Sequence, residues 1–253
     1  MEKKIGLVLF SCFIIAHANS EDFTTHRKIR ALRLEDQKRE EAIEKDSEKQ
    51  EYLCISLGFN CITALNLDRN KLRSRSFPFD WNITSLYGLC DILNNDFLDF
   101  LNPSYLDRRA GIFNAKYNMA FAHDFPVILQ ADGTHTEVAN YLDFLEEIET
   151  KYQRRIKRFN NACNAAKTVY FFRLATANWK FDTVTQDQAS IITLRDALMK
   201  KFPTNNWILV AIGTWAHYKQ DWQIPNVQNF YLSAHGMNKE WTTIFQNLGL
   251  IKS

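Results

Sequence analysis

The chain is poor in the residues from which several common functional sites are built. Glycine is scarce, with 8 residues in 253, and the sequence contains no P-loop, no dinucleotide-binding fingerprint and no Gly-x-Ser-x-Gly elbow. The formal net charge is only +2, and no group of lysines and arginines is dense enough to form a phosphate-binding stripe. We therefore expect neither a glycine-rich phosphate loop nor a nucleic-acid partner.

Cysteine is also sparse. Beyond residue 18 the chain has too few cysteines for a disulfide-dense scaffold, namely Cys54, Cys61, Cys90 and Cys163. It contains no Cys-x-x-Cys pair, no His-Glu-x-x-His motif and no Cys/His cluster at zinc-finger spacing. The sequence predicts no metal site and no cofactor, and it leaves open which cysteines form disulfides, if any.

Long hydrophobic runs are missing as well. The longest, residues 5–15, is shorter than the roughly 20 apolar residues that span a bilayer. It follows Lys3 and Lys4 and precedes Ala16-His17-Ala18, which is the order of parts in a cleavable signal peptide. We expect residues 1–18 to direct export to a periplasm or the exterior and to leave no stable membrane anchor; an uncleaved anchor is the alternative.

The rest of the chain divides at about residue 50. Residues 19–50 are strongly charged and lack glycine and proline, which favours a helical or disordered lead-in. Aromatic residues make up 13% of the chain, enough for a substantial core. We expect residues 51–253 to form a single α/β domain.

Within that domain, short apolar runs alternate with helical patterns. Strands are predicted at 52–57, 168–174, 207–212 and 227–232, with an extended segment around 117–125. Helices are predicted at 60–69, at 83–101, after capping boxes at 134–137 and 185–188, and at 238–248. This alternation predicts a three-layer α/β fold with a mixed, mostly parallel sheet flanked by helices. A papain-like α+β fold is the alternative.

Cys61 is the residue with the most chemical promise. It follows the first predicted strand, Gly58 and Asn60, and it begins the first helix of the domain. Unpaired amide groups and the positive end of the helix dipole favour a thiolate there and should lower the thiol pKa. A thiolate is a nucleophile, so the position suits a cysteine hydrolase. A small residue packed at a strand–helix junction is the structural alternative.

A thiol hydrolase also uses a base, and three histidines are candidates. His123 stands beside Asp124 at the end of the extended aromatic segment. His217 and His235 each follow a late strand, where open α/β sheets place their sites. Position alone does not choose among the three.

A carboxylate could orient that base. Asp80 lies within the block Ser-Phe-Pro-Phe-Asp-Trp, where a buried charge requires a partner. It could hold a histidine, as triad acids do, or cap the helix predicted from Ile83. Asp124 is a second candidate for the orienting acid.

Several blocks together resemble a known family. They are the first strand with its Leu-Gly-Phe-Asn-Cys turn, the Ser-Phe-Pro-Phe-Asp-Trp block with the arginines before it, Asn-Asp-Phe at 95–97, His-Asp-Phe at 123–125 and the basic helix at 152–159. In this order they resemble a bacterial family of unknown function labelled "putative papain-like cysteine peptidase", over roughly residues 52–175. The resemblance implies Cys61 as the nucleophile, His123 as the base and Asp80 or Asp124 as the orienting acid, with Gly58 and Asn60 in support.

Three functions remain open from the sequence. The first is an exported thiol hydrolase that acts on peptides. The second is a non-peptidase enzyme for glycans or esters, in which Cys61 pairs with His235 or His217 as in serine esterases of doubly wound sheets. The third is a non-catalytic binding or effector module, which predicts that Cys61 is fully buried or disulfide-bonded.

Overall fold

The computed structural model describes residues 51–252 except 110, 130–134, 176–185, 205 and 234–238. The predicted signal peptide and charged lead-in lie outside these residues, so both remain predictions.

The described residues form ten strands and five α-helices, separated by short 3₁₀ turns. The strands are β1 (Leu53–Ser56), β2 (Asn82–Thr84), β3 (Leu106–Arg109), β4 (Gly111–Asn114), β5 (Met119–Phe121), β6 (Val127–Leu129), β7 (His135–Glu137), β8 (Val169–Ala175), β9 (Trp207–Gly213) and β10 (Val227–Tyr231). The helices are α1 (Ile62–Arg69), α2 (Leu86–Asn94), α3 (Leu145–Ala165), α4 (Gln188–Lys201) and α5 (Lys239–Asn247).

A parallel sheet in the order β1-β8-β9-β10 forms the centre of the fold. Strands β1, β8 and β9 are apolar almost throughout because helices cover both faces of the sheet. One face packs against α2, α3 and α4, through Ile55, Phe171, Leu209, Leu89, Phe159 and Leu194. The other packs against α1 and α5, through Cys54, Phe172, Val210, Leu67 and Trp241. The predicted α/β fold with three layers is confirmed.

A second, antiparallel sheet in the order β2-β5-β4-β3 lies between α1 and α3 in the chain. The extended segment expected around 117–125 contributes β5, which pairs with both β2 and β4. The antiparallel strands are therefore not part of the parallel sheet. Strands β6 and β7 pair with each other in a third, two-stranded sheet.

The helix predicted over 83–101 is wrong at both ends. Its first residues form β2, and the Ser85 hydroxyl caps α2 by accepting a hydrogen bond from the Gly88 amide at 3.1 Å. The helix ends at Asn94, and Asp96, Phe97 and Asp99 then have positive φ angles. Phe97 and Leu101 are also buried, but they lie in the turns that follow the helix. Their spacing in the sequence therefore resembles that of buried helix positions.

The two predicted capping boxes are also wrong. Glu137 lies in β7, opposite Val127, and the long helix α3 begins only at Leu145. The cap of α4 is Asp187, whose carboxylate accepts a hydrogen bond from the Ser190 amide at 2.9 Å. Thr134 and Thr185 themselves lie outside the described residues. Within the described part of the chain, no helix has the length and apolar character to cross a membrane.

Candidate active site

The turn that follows β1 places Cys61. Gly58 and Phe59 have φ angles of +77° and +80°, so two successive residues adopt the left-handed region. A Cβ atom at Gly58 would lie 2.6 Å from Thr84 Oγ1 and 3.3 Å from the Phe79 carbonyl oxygen, which explains the glycine. The Phe59 amide donates to Thr84 Oγ1 at 3.1 Å. The Asn60 side-chain oxygen accepts a hydrogen bond from the Ile62 amide at 2.9 Å, which holds the start of α1.

Cys61 is a free, partly exposed thiol immediately before α1. Burial raises the pKa of the Cys61 thiol, and the backbone N–H of Cys61 lowers it by a smaller amount. The predicted direction, a lowered pKa, is therefore wrong. The physical reason is that desolvation of this half-buried sulfur outweighs the benefit of the backbone N–H group.

His123 lies just beyond β5 and is exposed. The pairing of β2 with β5 places Asn82 opposite Phe121, so Trp81 and His123 come from the adjoining ends of these two strands. Their rings meet edge to face, with centroids 6.0 Å apart. The Arg73 guanidinium lies 5.3 Å from the centre of the Trp81 ring.

Asp80 is almost completely buried, with 1% of its surface exposed. One carboxylate oxygen, Oδ2, accepts hydrogen bonds from Arg73 Nε at 3.0 Å and from the Phe77 amide at 2.8 Å. The other oxygen, Oδ1, is buried and has no hydrogen-bond partner among the described residues. Burial raises the pKa of the Asp80 carboxyl even though Arg73, the Phe77 amide and Arg155 favour the ionised form.

Neither role predicted for Asp80 is visible in its contacts. Its hydrogen bonds go to Arg73 and Phe77 rather than to an imidazole, and Ser85 is the residue that caps the following helix. The alternative acid, Asp124, accepts a hydrogen bond from the Tyr152 hydroxyl at 2.6 Å and lies 2.6 Å from Lys151 Nζ. Histidine orientation by Asp80 or Asp124 remains a prediction.

One short segment, residues 79–84, touches the surroundings of both Cys61 and His123. On one side, Phe79 and Thr84 contact the Gly58–Phe59 turn. On the other, Trp81 contacts His123. The turn before Cys61 and the ring of His123 therefore contact the same segment of the fold.

The two alternative bases have different surroundings. His217 lies in a 3₁₀ turn just after β9, and its ring packs nearly parallel to those of Trp215 and Trp222. His217 Nε2 is buried and has no hydrogen-bond partner within the described ranges. The pKa of the Asp187 carboxyl is lowered, mainly by its hydrogen bonds from Ser190. The electrostatic interaction with nearby His217 lowers it further. His235 lies outside the described residues.

Arg173 is the functional candidate that sequence reasoning missed. It is completely buried in β8 and hydrogen-bonds to Leu57, Thr84 and Gln186. The available signal was a single charged residue inside the apolar run Val-Tyr-Phe-Phe-Arg-Leu-Ala. A charge inside a covered strand is rare, because it must be compensated by specific hydrogen bonds.

The described residues contain no group of three or more His, Cys, Asp or Glu side chains that could hold a metal ion.

Comparisons with known proteins cover the part of the chain that contains Cys61, Asp80 and His123. The chain is 28% identical over 183 residues to "Uncharacterized protein R408" of Acanthamoeba polyphaga mimivirus, an alignment that covers 62% of this chain and 76% of the relative. No solved structure matches the chain. The bacterial origin implied by the resemblance remains a prediction, since this relative is viral. A family model matches residues 52–216, and the chain therefore belongs to the family described as "Putative papain-like cysteine peptidase (DUF1796)".

Proposed function

We propose that the protein is an exported thiol hydrolase that cleaves peptide bonds, with Cys61 as the nucleophile and His123 as the base. The observation that carries the proposal is the arrangement around residues 79–84, which contact the turn before Cys61 on one side and His123 on the other. Membership in a family described as cysteine peptidases supports the same reaction class.

The raised pKa of Cys61 affects how the reaction starts. A half-buried sulfur whose pKa lies above its usual value is a thiol at neutral pH. In the proposed reaction, His123 therefore accepts the thiol proton while the sulfur attacks the peptide carbonyl. The proton then passes to the leaving amine, and the amine departs to leave a thioester on Cys61. Water attacks the thioester, releases the acid product and restores the thiol.

Three other cysteines provide an internal comparison. Cys54, Cys90 and Cys163 are buried, with exposed fractions of 2%, 4% and 1%. Iodoacetamide at pH 7.5, followed by peptide mass spectrometry, should label Cys61 first. Equal labelling of Cys61 and Cys163 in the folded protein would contradict an enzymatic role for Cys61.

Export is the second part of the proposal. The order of basic, apolar and small residues in positions 1–18 supports it. Expression of the full chain followed by intact-mass measurement of the exported protein should show cleavage after Ala18. Retention of the full mass in the cell would contradict it.

One observation favours a second function, a non-peptidase hydrolase for glycans or esters. His217 follows β9 at the carboxyl end of the parallel sheet, close to Asp187, and ligands of open α/β sheets bind at that edge. This reading predicts loss of activity in His217→Ala, whereas the peptidase proposal predicts loss in His123→Ala. The non-catalytic reading predicted a fully buried or disulfide-bonded Cys61, and Cys61 is neither.

A further inference from the structure

We infer that Arg173 and Thr84 are positioning residues, which hold the Gly58–Phe59 turn and thereby fix the place of Cys61. We call this pair the clamp. The inference deepens the proposed function and rests on it, because it assigns the clamp to the proposed nucleophile.

The Thr84 hydroxyl is the centre of the clamp. It accepts hydrogen bonds from the Phe59 amide at 3.1 Å and from Arg173 Nη1 at 2.9 Å, and it donates to the Leu57 carbonyl at 3.4 Å. A hydroxyl group has one donor and two acceptor positions, so these contacts fill all three. Any movement of the turn would therefore break at least one of these hydrogen bonds.

Arg173 supports the same turn from the parallel sheet. Its Nη1 also donates to the Leu57 carbonyl at 3.2 Å, and its Nη2 donates to the Thr84 carbonyl at 2.9 Å. Its Nε donates to Gln186 Oε1 at 3.1 Å, and its guanidinium lies 5.8 Å from the centre of the Phe59 ring. Arg173 thus connects β8, β2 and the turn after β1.

The turn requires this support because it is strained. Phe59 has a φ angle of +80°, in the left-handed region that is unfavourable for a residue with a Cβ atom. Residues persist in such conformations only where the surroundings hold them, and they are frequent at active sites. Phe59 lies two residues before Cys61, so relaxation of the turn would move the thiol.

The expected consequence is specific to Cys61. A loosened turn would admit water around the half-buried sulfur and relieve the desolvation that raises its pKa. Alkylation of Cys61 would then become faster at a fixed pH, while the position of the sulfur for catalysis would be lost.

A matched pair of variants at one position tests the clamp. Thr84→Val keeps the shape of the side chain and removes the hydroxyl, whereas Thr84→Ser keeps the hydroxyl. Iodoacetamide labelling of the full chain, read separately at each cysteine across pH 6.5 to 9.5, is the measurement. We expect Thr84→Val to alkylate Cys61 about fivefold faster at pH 7.5, with a lower midpoint of its pH profile.

Each result decides the inference. A wild-type profile in Thr84→Ser, together with a faster profile at Cys61 alone in Thr84→Val, supports the clamp. Wild-type behaviour of Thr84→Val would overturn it. Faster labelling of Cys54, Cys90 and Cys163 by the same factor would also overturn it, since the effect of Thr84→Val would then be a general loss of stability rather than a local change at the turn.

The labelling experiment does not depend on hydrolytic activity. Cleavage of fluorescein-labelled casein by the wild type and by Cys61→Ala tests the proposed function separately. If casein cleavage is independent of Cys61 but the Thr84 variants behave as expected, the function fails and the clamp stands as a structural device. If cleavage requires Cys61 and Thr84→Val is unchanged, only the clamp fails.

Discussion

Two clusters of buried polar residues lie at the two ends of residues 80–84. They differ in how many of their hydrogen-bonding positions are occupied. In the clamp, all three hydrogen-bonding positions of the Thr84 hydroxyl are occupied. In the second group, which we call the Asp80 cluster (Arg73, Asp80 and Arg155), the buried Asp80 Oδ1 has no hydrogen-bond partner within the described residues. The buried Arg155 Nη1 forms no hydrogen bond there either, and it lies 3.8 Å from Asp124 Oδ1.

The difference indicates different roles. A fully satisfied buried network fixes one geometry, because any movement leaves a polar group unpaired. In a buried network with unpaired polar atoms, the charged form of a carboxyl is less well stabilised, so its protonation can change with pH. Burial does raise the pKa of the Asp80 carboxyl. We therefore expect the clamp to respond chiefly to substitution and the Asp80 cluster to respond to pH.

The largest effect is expected from Arg173→Met. This change removes the donors to Leu57, Thr84 and Gln186 and leaves buried acceptors unpaired. Since each buried acceptor left unpaired costs roughly 1 to 3 kcal/mol, we expect the free energy of unfolding to fall by about 3 kcal/mol or more, as measured by urea denaturation. Arg195→Met is the control, because the Arg195 pair with exposed Asp196 lies at the surface and should contribute about 0.5 kcal/mol or less. Equal losses in the two variants would remove the distinction between the clamp and an ordinary surface arginine.

The next effect concerns the pH dependence of stability. Because the pKa of Asp80 is raised in the folded state, the folded protein binds this proton more tightly than the unfolded chain does. The contribution of Asp80 to stability is therefore highest below the unfolded pKa and falls as pH rises through the folded pKa. In Asp80→Asn, this decrease in stability as pH rises above the unfolded pKa of about 3.9 should disappear.

Urea denaturation at several pH values measures this effect, and Asp196→Asn is the exposed control. An unchanged pH profile in Asp80→Asn would show that Asp80 stays ionised, so that the Asp80 cluster would be as fixed as the clamp.

A smaller effect separates Cys61 from an ordinary thiol. Since burial raises its pKa, Cys61 should react with iodoacetamide a fewfold more slowly than N-acetylcysteine at pH 7.5. Its rate should continue to rise beyond pH 8.5, the approximate pKa of a free cysteine. Stopped-flow or mass-spectrometric rates across pH provide the check. A midpoint of this pH profile below 8 would contradict the raised pKa and would support the lowered thiol pKa that the helix terminus predicts.

The smallest effect on stability is expected from His123→Ala. The imidazole is exposed, and its described ring contact is with Trp81. We expect the free energy of unfolding to change by about 0.5 kcal/mol or less in thermal or urea denaturation. A loss above about 2 kcal/mol would mean that His123 supports the fold and that activity changes in this variant report on stability.

The parallel sheet could be predicted from the sequence because β1, β8 and β9 are largely apolar runs. The runs at 168–174 and 207–212 became β8 and β9 almost to the residue. The antiparallel strands were harder because they have only three or four residues each, too few to show an alternating pattern. The pattern at residues 83 and 84 therefore cannot be distinguished from that of the helix that follows them.

The site was predictable only in part for a related reason. A strand–turn–helix junction identifies Cys61 by local pattern, and the structure places it at that junction. The balance between burial and helix dipole is set by tertiary packing, so the direction of the pKa shift was predicted wrongly. The contacts of Arg173 with Leu57 and Thr84 span 116 and 89 residues of sequence, a distance that local patterns do not reach.

Cleavage of fluorescein-labelled casein by the full chain and its single variants tests the central claim most directly. We predict that Cys61→Ala lowers the rate at least about a thousandfold and that His123→Ala lowers it about 10² to 10⁴-fold, while His217→Ala cleaves at the wild-type rate. An inactive wild type, or a Cys61→Ala variant that cleaves casein at the wild-type rate, would contradict the account.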